Sequence, residues 1–176
     1  MVEITLEITQ QCPNQCFFCS SDATPTGKHL DYNVVIQFLE QIRHEDVERI
    51  NISGGEPLSH PRFYEILQCC YILTDNVWVY TNALRKIMYN TFVLDEVEVE
   101  ANVCIVPGSR VYIPRKPGKI HLLKMIHQGR AACLEGGPEV VVSRNFWDEE
   151  HCADCNHLLL QADGKVVPAP CKKEYS

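Results

Sequence analysis

Three cysteines crowd into the run Gln11-Cys12-Pro13-Asn14-Gln15-Cys16-Phe17-Phe18-Cys19, directly after an alternating, strand-like segment at residues 2–9. Three thiolates held this tightly in one loop can bind three irons of a cubane 4Fe-4S cluster, whereas a closed cluster of that type takes four cysteines. The fourth iron is then left open for a ligand. Zinc is the competing metal for Cys12, Cys16 and Cys19, because a zinc site can recruit its fourth ligand from elsewhere in the chain.

Ten cysteines among 176 residues would also suit a disulfide framework. Such frameworks belong to small secreted domains, and the first seven residues, Met1 to Glu7, show neither a basic n-region nor an apolar h-region. A reducing cytoplasm is the expected compartment, where cysteines bind metal or do chemistry. No apolar stretch approaches the roughly 18 residues needed to span a bilayer, so no membrane segment is expected. The formal charge of −7 argues against a polyanionic partner such as nucleic acid, whose affinity comes from neutralised phosphates.

The segment Val47-Glu48-Arg49-Ile50-Asn51-Ile52-Ser53-Gly54-Gly55-Glu56-Pro57 reads as a second strand ending in two glycines, which permit close backbone approach. An ordinary strand-to-helix turn would explain it in isolation. Taken together, the C-x3-C-x2-C pattern and the Gly-Gly-Glu, each after a strand and in this order, resemble the radical S-adenosylmethionine (SAM) superfamily. The resemblance implies a 4Fe-4S cluster on Cys12, Cys16 and Cys19, whose open iron chelates the amino and carboxylate groups of SAM. It implies reductive cleavage of SAM to a 5'-deoxyadenosyl radical, with a flavodoxin or ferredoxin as reductant. Gly54, Gly55 and Glu56, with Pro57 completing the motif, match the segment that cradles the methionine ammonium group. Phe18 matches the position whose backbone meets the adenine.

The strands carry an independent signal. Val2, Ile4, Leu6 and Ile8 oppose Glu3, Thr5, Glu7 and Thr9; Ile50 and Ile52 oppose Asn51 and Ser53; Val97, Val99, Ala101, Val103 and Ile105 oppose Glu98, Glu100, Asn102 and Cys104. Parallel strands buried on both faces read instead as continuous apolar runs. Alternation between helical segments suggests a sheet covered by helices outside and polar inside, around a ligand chamber. A half-exposed antiparallel sheet is the simpler alternative, and the helices expected at 33–45 and 61–73 weigh against it. Asp31 or Asn33 would cap the first helix and Pro61 suits the first turn of the second. Residues 77–82 read as a third strand, 97–105 as a fourth, 107–119 as a proline-rich loop, 120–126 as a further strand and 140–143 as a sixth.

The expected fold is therefore α/β, an abbreviated partial (β/α)6 barrel over residues 1–131 with a small C-terminal extension carrying an auxiliary metal cluster over 132–176. The resemblance implies six strands alternating with six helices, and 107–138 is short for that. Thr81, Asn82, Lys124, Arg130 and Arg144 are the candidates for SAM's carboxylate and ribose by position, each with a solvated-surface alternative. Cys104 faces the expected lumen, where a thiol could give a hydrogen atom to a substrate radical; a packed strand residue is the plainer role. Glu98 and Glu100 share that face and could position substrate or act as base. Cys69 and Cys70 are adjacent on a helix, so at most one faces the core.

The last fifth of the chain holds Cys133, then His151-Cys152-Ala153-Asp154-Cys155, then Asp163-Gly164, then Cys171. A hairpin turning at Asp163-Gly164 would bring Cys171 back toward Cys152 and Cys155, with Cys133 as fourth ligand. The arrangement resembles the twitch and SPASM auxiliary-cluster extensions of radical SAM enzymes. A structural zinc knuckle, with His151 or His157 in place of Cys133, is the alternative. Arg110, Arg115, Lys116, Lys119 and Lys124 form a basic stretch able to meet phosphate or an acidic peptide.

Hydrogen abstraction from a peptide or protein is the function the resemblance implies most directly, because many twitch and SPASM relatives act on peptides. Within the superfamily the alternatives are a small-molecule or nucleoside substrate, as in 7-carboxy-7-deazaguanine synthases, or glycyl-radical activation. Outside catalysis, the alternative is a zinc-binding interaction module.

Overall fold

The structure, a computed structural model, describes residues 1–14, 16, 19, 21–81, 100–104, 119–123 and 156–168, with 100–104 and 119–123 described by their backbone. Two compact units divide the chain, one of Met1–Asn14, Ala23–Thr81 and Phe146–Ser176, the other of Gln15–Asp22 and Asn82–Asn145. The expected boundary at 131/132 lies outside the described residues, as does the strand expected at 140–143.

In the first unit, strand β1 (Val2–Glu7) pairs in parallel with β2 (Val47–Ser53), with Ile4 opposite Ile50 and Leu6 opposite Ile52. Because side chains alternate along a strand, this register sets the apolar residues of both strands on one face. Ile4, Leu6, Ile8, Ile50 and Ile52 are all fully buried.

Parallel neighbours require a crossover, and here it contains a helix, α1 (Tyr32–Gln41). Asp31 caps it, its carboxylate accepting the Asn33 N–H at 2.7 Å. The helix buries Val35, Phe38 and Leu39, the stripe expected of one helical face. A second crossover carries α2 (Phe63–Tyr71), which buries Phe63, Ile66, Leu67 and Cys70. This helix starts two residues beyond Pro61, later than the sequence suggests. The cause is local: the His60 ring takes the Arg62 N–H and the His60 carbonyl takes that of Phe63, so Pro61 belongs to a separate turn. Cys70 is buried while Cys69 is half-buried, with its sulfur 3.9 Å from the Tyr32 hydroxyl.

Strand β3 (Val77–Val79) extends the sheet beyond β2. In the second unit, β4 (Glu100–Cys104) and β5 (Lys119–Leu123) form a separate parallel pair. The hairpin expected around Asp163-Gly164 forms from β6 (Leu158–Leu160) and β7 (Val166–Pro168), paired antiparallel. It does not stand alone: β6 lies parallel to β1, Ile4 opposite Leu158 and Leu6 opposite Leu160, giving a five-stranded mixed sheet of order β3-β2-β1-β6-β7. No helix among the described residues is long and apolar enough to cross a membrane.

Ile52 sits at the centre of this core, so Ile52→Ala is expected to lower unfolding stability by about 2–5 kcal/mol through lost transfer energy and the cavity left behind. A urea unfolding curve measures it, and a loss below about 1 kcal/mol would mean that the sheet face is not packed as described.

Candidate functional site

The chain entering the cysteine loop is held on both sides by backbone hydrogen bonds. On one side the pairing of β1 with β2 continues past the strand ends. Ile8 N–H donates to the Ser53 carbonyl at 3.1 Å, Gly55 N–H to Thr9 at 2.7 Å and Glu56 N–H to Gln11 at 2.8 Å. The Gly-Gly-Glu segment and the start of the cysteine run are thus bonded directly to each other. Glycine is required here by that closeness: a Cβ on Gly54 would stand 2.3 Å from the Thr9 carbonyl oxygen, and one on Gly55 2.6 Å from that of Gln11. Gly54 also adopts φ +133°, which L side chains rarely accept.

On the other side the chain returns at residues 24–30. Leu30 N–H donates to Ile8 at 2.9 Å, Gln10 to Lys28 at 2.8 Å, Thr24 to Gln10 at 3.1 Å and Cys12 to Thr24 at 2.8 Å. Gly27 permits this, since a Cβ there would lie 2.0 Å from the Gln10 carbonyl oxygen. Thr9 stands between the two sides, fully buried. Its hydroxyl accepts the Gln11 N–H at 2.9 Å and lies 2.8 Å from His29 Nδ1.

Of the three predicted ligands, Cys12 belongs to the first unit and is buried; Cys16 and Cys19 belong to the second and are half-buried. Within that second unit Cys19 N–H donates to the Cys16 carbonyl at 3.3 Å and Asp22 N–H to Cys19 at 3.4 Å, a turn that Asp22 completes at φ 50°. Among the described residues no three His, Cys, Asp or Glu side chains are grouped as a metal site. Cys12, Cys16 and Cys19 nevertheless supply the soft thiolate donors that iron-sulfur clusters require.

Glu56 is fully buried, and its Oε1 accepts the Leu58 N–H at 3.1 Å and the Thr81 hydroxyl at 2.7 Å. It caps the short 3-10 turn Pro57–Ser59, with Pro57 in that turn's first position. Two predicted residues, Glu56 and Thr81, are thereby brought together. Glu100 and Cys104 mark the two ends of β4, in register with Lys119 and Leu123. Phe18, Asn82, Glu98, Lys124, Arg130, Cys133, Arg144, His151, Cys152, Cys155 and Cys171 lie outside the described residues.

The polar face of the sheet carries a network that sequence reading placed only as alternation. Arg49 Nη2 pairs with Glu3 Oε1 at 2.7 Å, and Asn51 Nδ2 donates to the same oxygen at 2.8 Å and to Thr5 Oγ1 at 3.4 Å. Thr5 Oγ1 is also 2.8 Å from His157 Nε2, and the Arg49 guanidinium lies over Trp78 at 5.5 Å. Burial would raise the Glu3 carboxyl, but Arg49 and Asn51 hold it below the usual range. Burial pushes His157 down; Arg49 adds to that and Glu3 opposes it. His157, weighed as a zinc ligand, therefore commits one ring nitrogen to Thr5. Among the described residues, Asn51 Oδ1 and Arg49 Nε are buried and meet no hydrogen-bond partner.

Residues 6–99, more than half of the chain, match the family model of the radical SAM superfamily. Over 85 residues, 47% of its length, the chain is 29% identical to a PqqA peptide cyclase of Bradyrhizobium diazoefficiens. It spans 21% of that relative's length. The crystal structure of BtrN in complex with AdoMet and 2-DOIA is similar with a TM-score of 0.62 and 18% identity, covering 97% of this chain and 74% of that one. At that identity the likeness is one of fold.

On the same polar face, burial raises the Glu7 carboxyl, Asp163 raises it further and the Ala162 N–H partly offsets both. The folded chain thus binds this proton more tightly than the unfolded one, and stability falls as pH climbs from the ordinary value of 4.5 through the raised one. Glu7→Gln keeps an acceptor for Ala162 and removes the titration. The variant is expected to be more stable than the parent at pH 7, the gap narrowing below pH 4.5. Urea midpoints at both ends of that range test it; a gap that does not change with pH would refute the titration of Glu7.

Proposed function

The chain belongs to the radical SAM superfamily, and on that premise we propose that it carries a 4Fe-4S cluster on Cys12, Cys16 and Cys19 and abstracts hydrogen from a peptide or protein substrate. The observation that carries this reading is the direct bonding of Gly55 to Thr9 and of Glu56 to Gln11, which ties the Gly-Gly-Glu segment to the chain that leads into Cys12. When bound, the cluster supplies the electron that splits SAM into methionine and the 5'-deoxyadenosyl radical. The residues of the chain would bind SAM and the substrate and orient them for the hydrogen transfer.

Gly54, Gly55 and Glu56 are the proposed cradle for the methionine ammonium group. The N–H groups of Gly55 and Glu56 are turned to Thr9 and Gln11 and the Glu56 carbonyl takes the Ser59 N–H, so the Gly54 and Gly55 carbonyl oxygens are the proposed acceptors for a ligand. An ammonium is donor-only and complements such a surface. The Glu56 carboxylate, buried and bonded to Leu58 and Thr81, braces the segment, with Pro57 fixing the turn that follows. Phe18 is proposed to meet the adenine, and Asn82, Lys124 and Arg130 the ribose and carboxylate. Cys104, Glu98 and Glu100 are proposed to act on the substrate, the thiol as hydrogen donor and the carboxylates as positioning groups or base.

A second, auxiliary cluster is proposed on Cys133, Cys152, Cys155 and Cys171, with zinc as the alternative metal. The hairpin supports it: Leu158 pairs with Pro168, so the chain enters and leaves the hairpin side by side. Cys155 stands three positions before Leu158 and Cys171 three after Pro168. A peptide substrate is supported by the PqqA peptide cyclase relative. A small-molecule substrate is the second reading, favoured by the fold likeness to BtrN across nearly the whole chain. A flavodoxin or ferredoxin is the proposed reductant.

Anaerobically purified protein is expected to contain iron and sulfide in equal amounts, about four irons per chain for one cluster and about eight for two. With dithionite and SAM it is expected to release 5'-deoxyadenosine, measured by chromatography, and Cys16→Ala to reduce that release to background. Zinc without iron, or undiminished SAM cleavage by Cys16→Ala, would overturn the assignment. A precursor peptide encoded nearby, converted by the protein, would separate the two substrate classes.

A further inference from the structure

The Thr9 hydroxyl has one proton to give, and its partners can be accounted for. It accepts the Gln11 N–H at 2.9 Å, so its own proton goes to the Lys28 carbonyl at 3.3 Å or to His29 Nδ1 at 2.8 Å. The longer distance lies outside the usual range for a hydroxyl donor, the shorter within it. His29 is the better acceptor. Its ring is itself held: the neighbouring His60 ring meets it edge to face, centroids 5.2 Å apart. His60 takes the Arg62 N–H on Nδ1 at 3.1 Å, so its proton sits on Nε2 and goes to the Leu30 carbonyl at 2.9 Å. A continuous set of contacts therefore runs from the start of α2 through His60, His29 and Thr9 to Gln11. Gln11 is the residue before Cys12, and its carbonyl is the one bonded to Glu56.

We propose that His29 is a positioning residue for the cysteine loop: it holds the Thr9 hydroxyl, Thr9 holds the Gln11 N–H, and together they set the direction in which the chain leaves β1 for Cys12. The proposal rests on Cys12 being a cluster ligand only for its consequence, not for its geometry. His29 is exposed, so its replacement removes this contact without opening the core. Burial and the neighbouring His60 both lower the His29 pKa, which keeps Nδ1 available as an acceptor near neutral pH.

Two variants separate positioning from bulk. His29→Leu removes the acceptor and keeps an apolar body beside His60; His29→Asn places an amide oxygen near the position of Nδ1. Hydrogen exchange, followed by mass spectrometry on cluster-loaded protein, is expected to be about two- to tenfold faster over residues 8–14 in His29→Leu, the range of one lost hydrogen bond. Exchange over 47–53 is expected to stay unchanged, and His29→Asn to return both readings to the parent's. Iron release to a ferrous chelator is expected to accelerate by a similar factor in His29→Leu alone. With Thr9→Val as background, adding His29→Leu should bring no further change, because the two residues act in series. Unchanged exchange over 8–14, acceleration spread equally over 47–53, or additive effects with Thr9→Val would overturn the proposal. If the parent protein holds no iron, the cluster assignment fails, while the exchange comparison on metal-free protein still decides the role of His29.

Discussion

The parallel pairing of β1 with β2 does not stop where the strands end. Bonds with Ser53, Gly55 and Glu56 carry it on to Gln11, and the return segment at 24–30 pairs with Ile8, Gln10 and Cys12 from the other side. Residues 8–12 thus behave as the middle strand of a miniature sheet with no side chain at its tightest points. A loop launched by backbone bonds has few alternative directions, which suits the proposed role of Cys12 as a cluster ligand. Gly27, Gly54 and Gly55 are the condition for that arrangement, each standing where another residue's Cβ would enter a carbonyl.

The same sheet divides its labour by face. One face is aliphatic and buried; the other carries Glu3 and Thr5 of β1 and Arg49 and Asn51 of β2, joined to His157 just before β6. Pairing Arg49 with Glu3 offsets part of the cost of placing charge there, while Asn51 Oδ1 and Arg49 Nε meet no partner among the described residues.

Much of the first unit was legible because its signals are local. Alternation at Ile4, Leu6 and Ile8, the Asp31 cap and the turn at Asp163-Gly164 each follow from neighbours a few positions apart. The later start of α2 has a cause of the same scale, since the His60 ring and carbonyl close a separate turn over residues 60–63, and ring acceptors leave no periodic trace. Gly54 and Gly55 were found by position but for a partly different cause: what approaches them is the chain of Thr9 and Gln11. The bond from Thr5 to His157 spans 152 positions and depends on a register that only the folded sheet defines. The pairing of β6 with β1 was hidden for the same reason, because a hairpin signal says nothing about which strand it will join.

That last pairing has a consequence for the order of events as the chain is made. Among the described residues, the backbone bonds framing residues 8–12 come from within the first 56 residues, whereas the far edge of β1 waits for residues 158–160. At ribosomal speed the interval between β2 and β6 is on the order of ten seconds, during which β1 exposes an open strand edge able to pair with the wrong partner. The seat of the cysteine loop can therefore set early, while the sheet that supports it closes last.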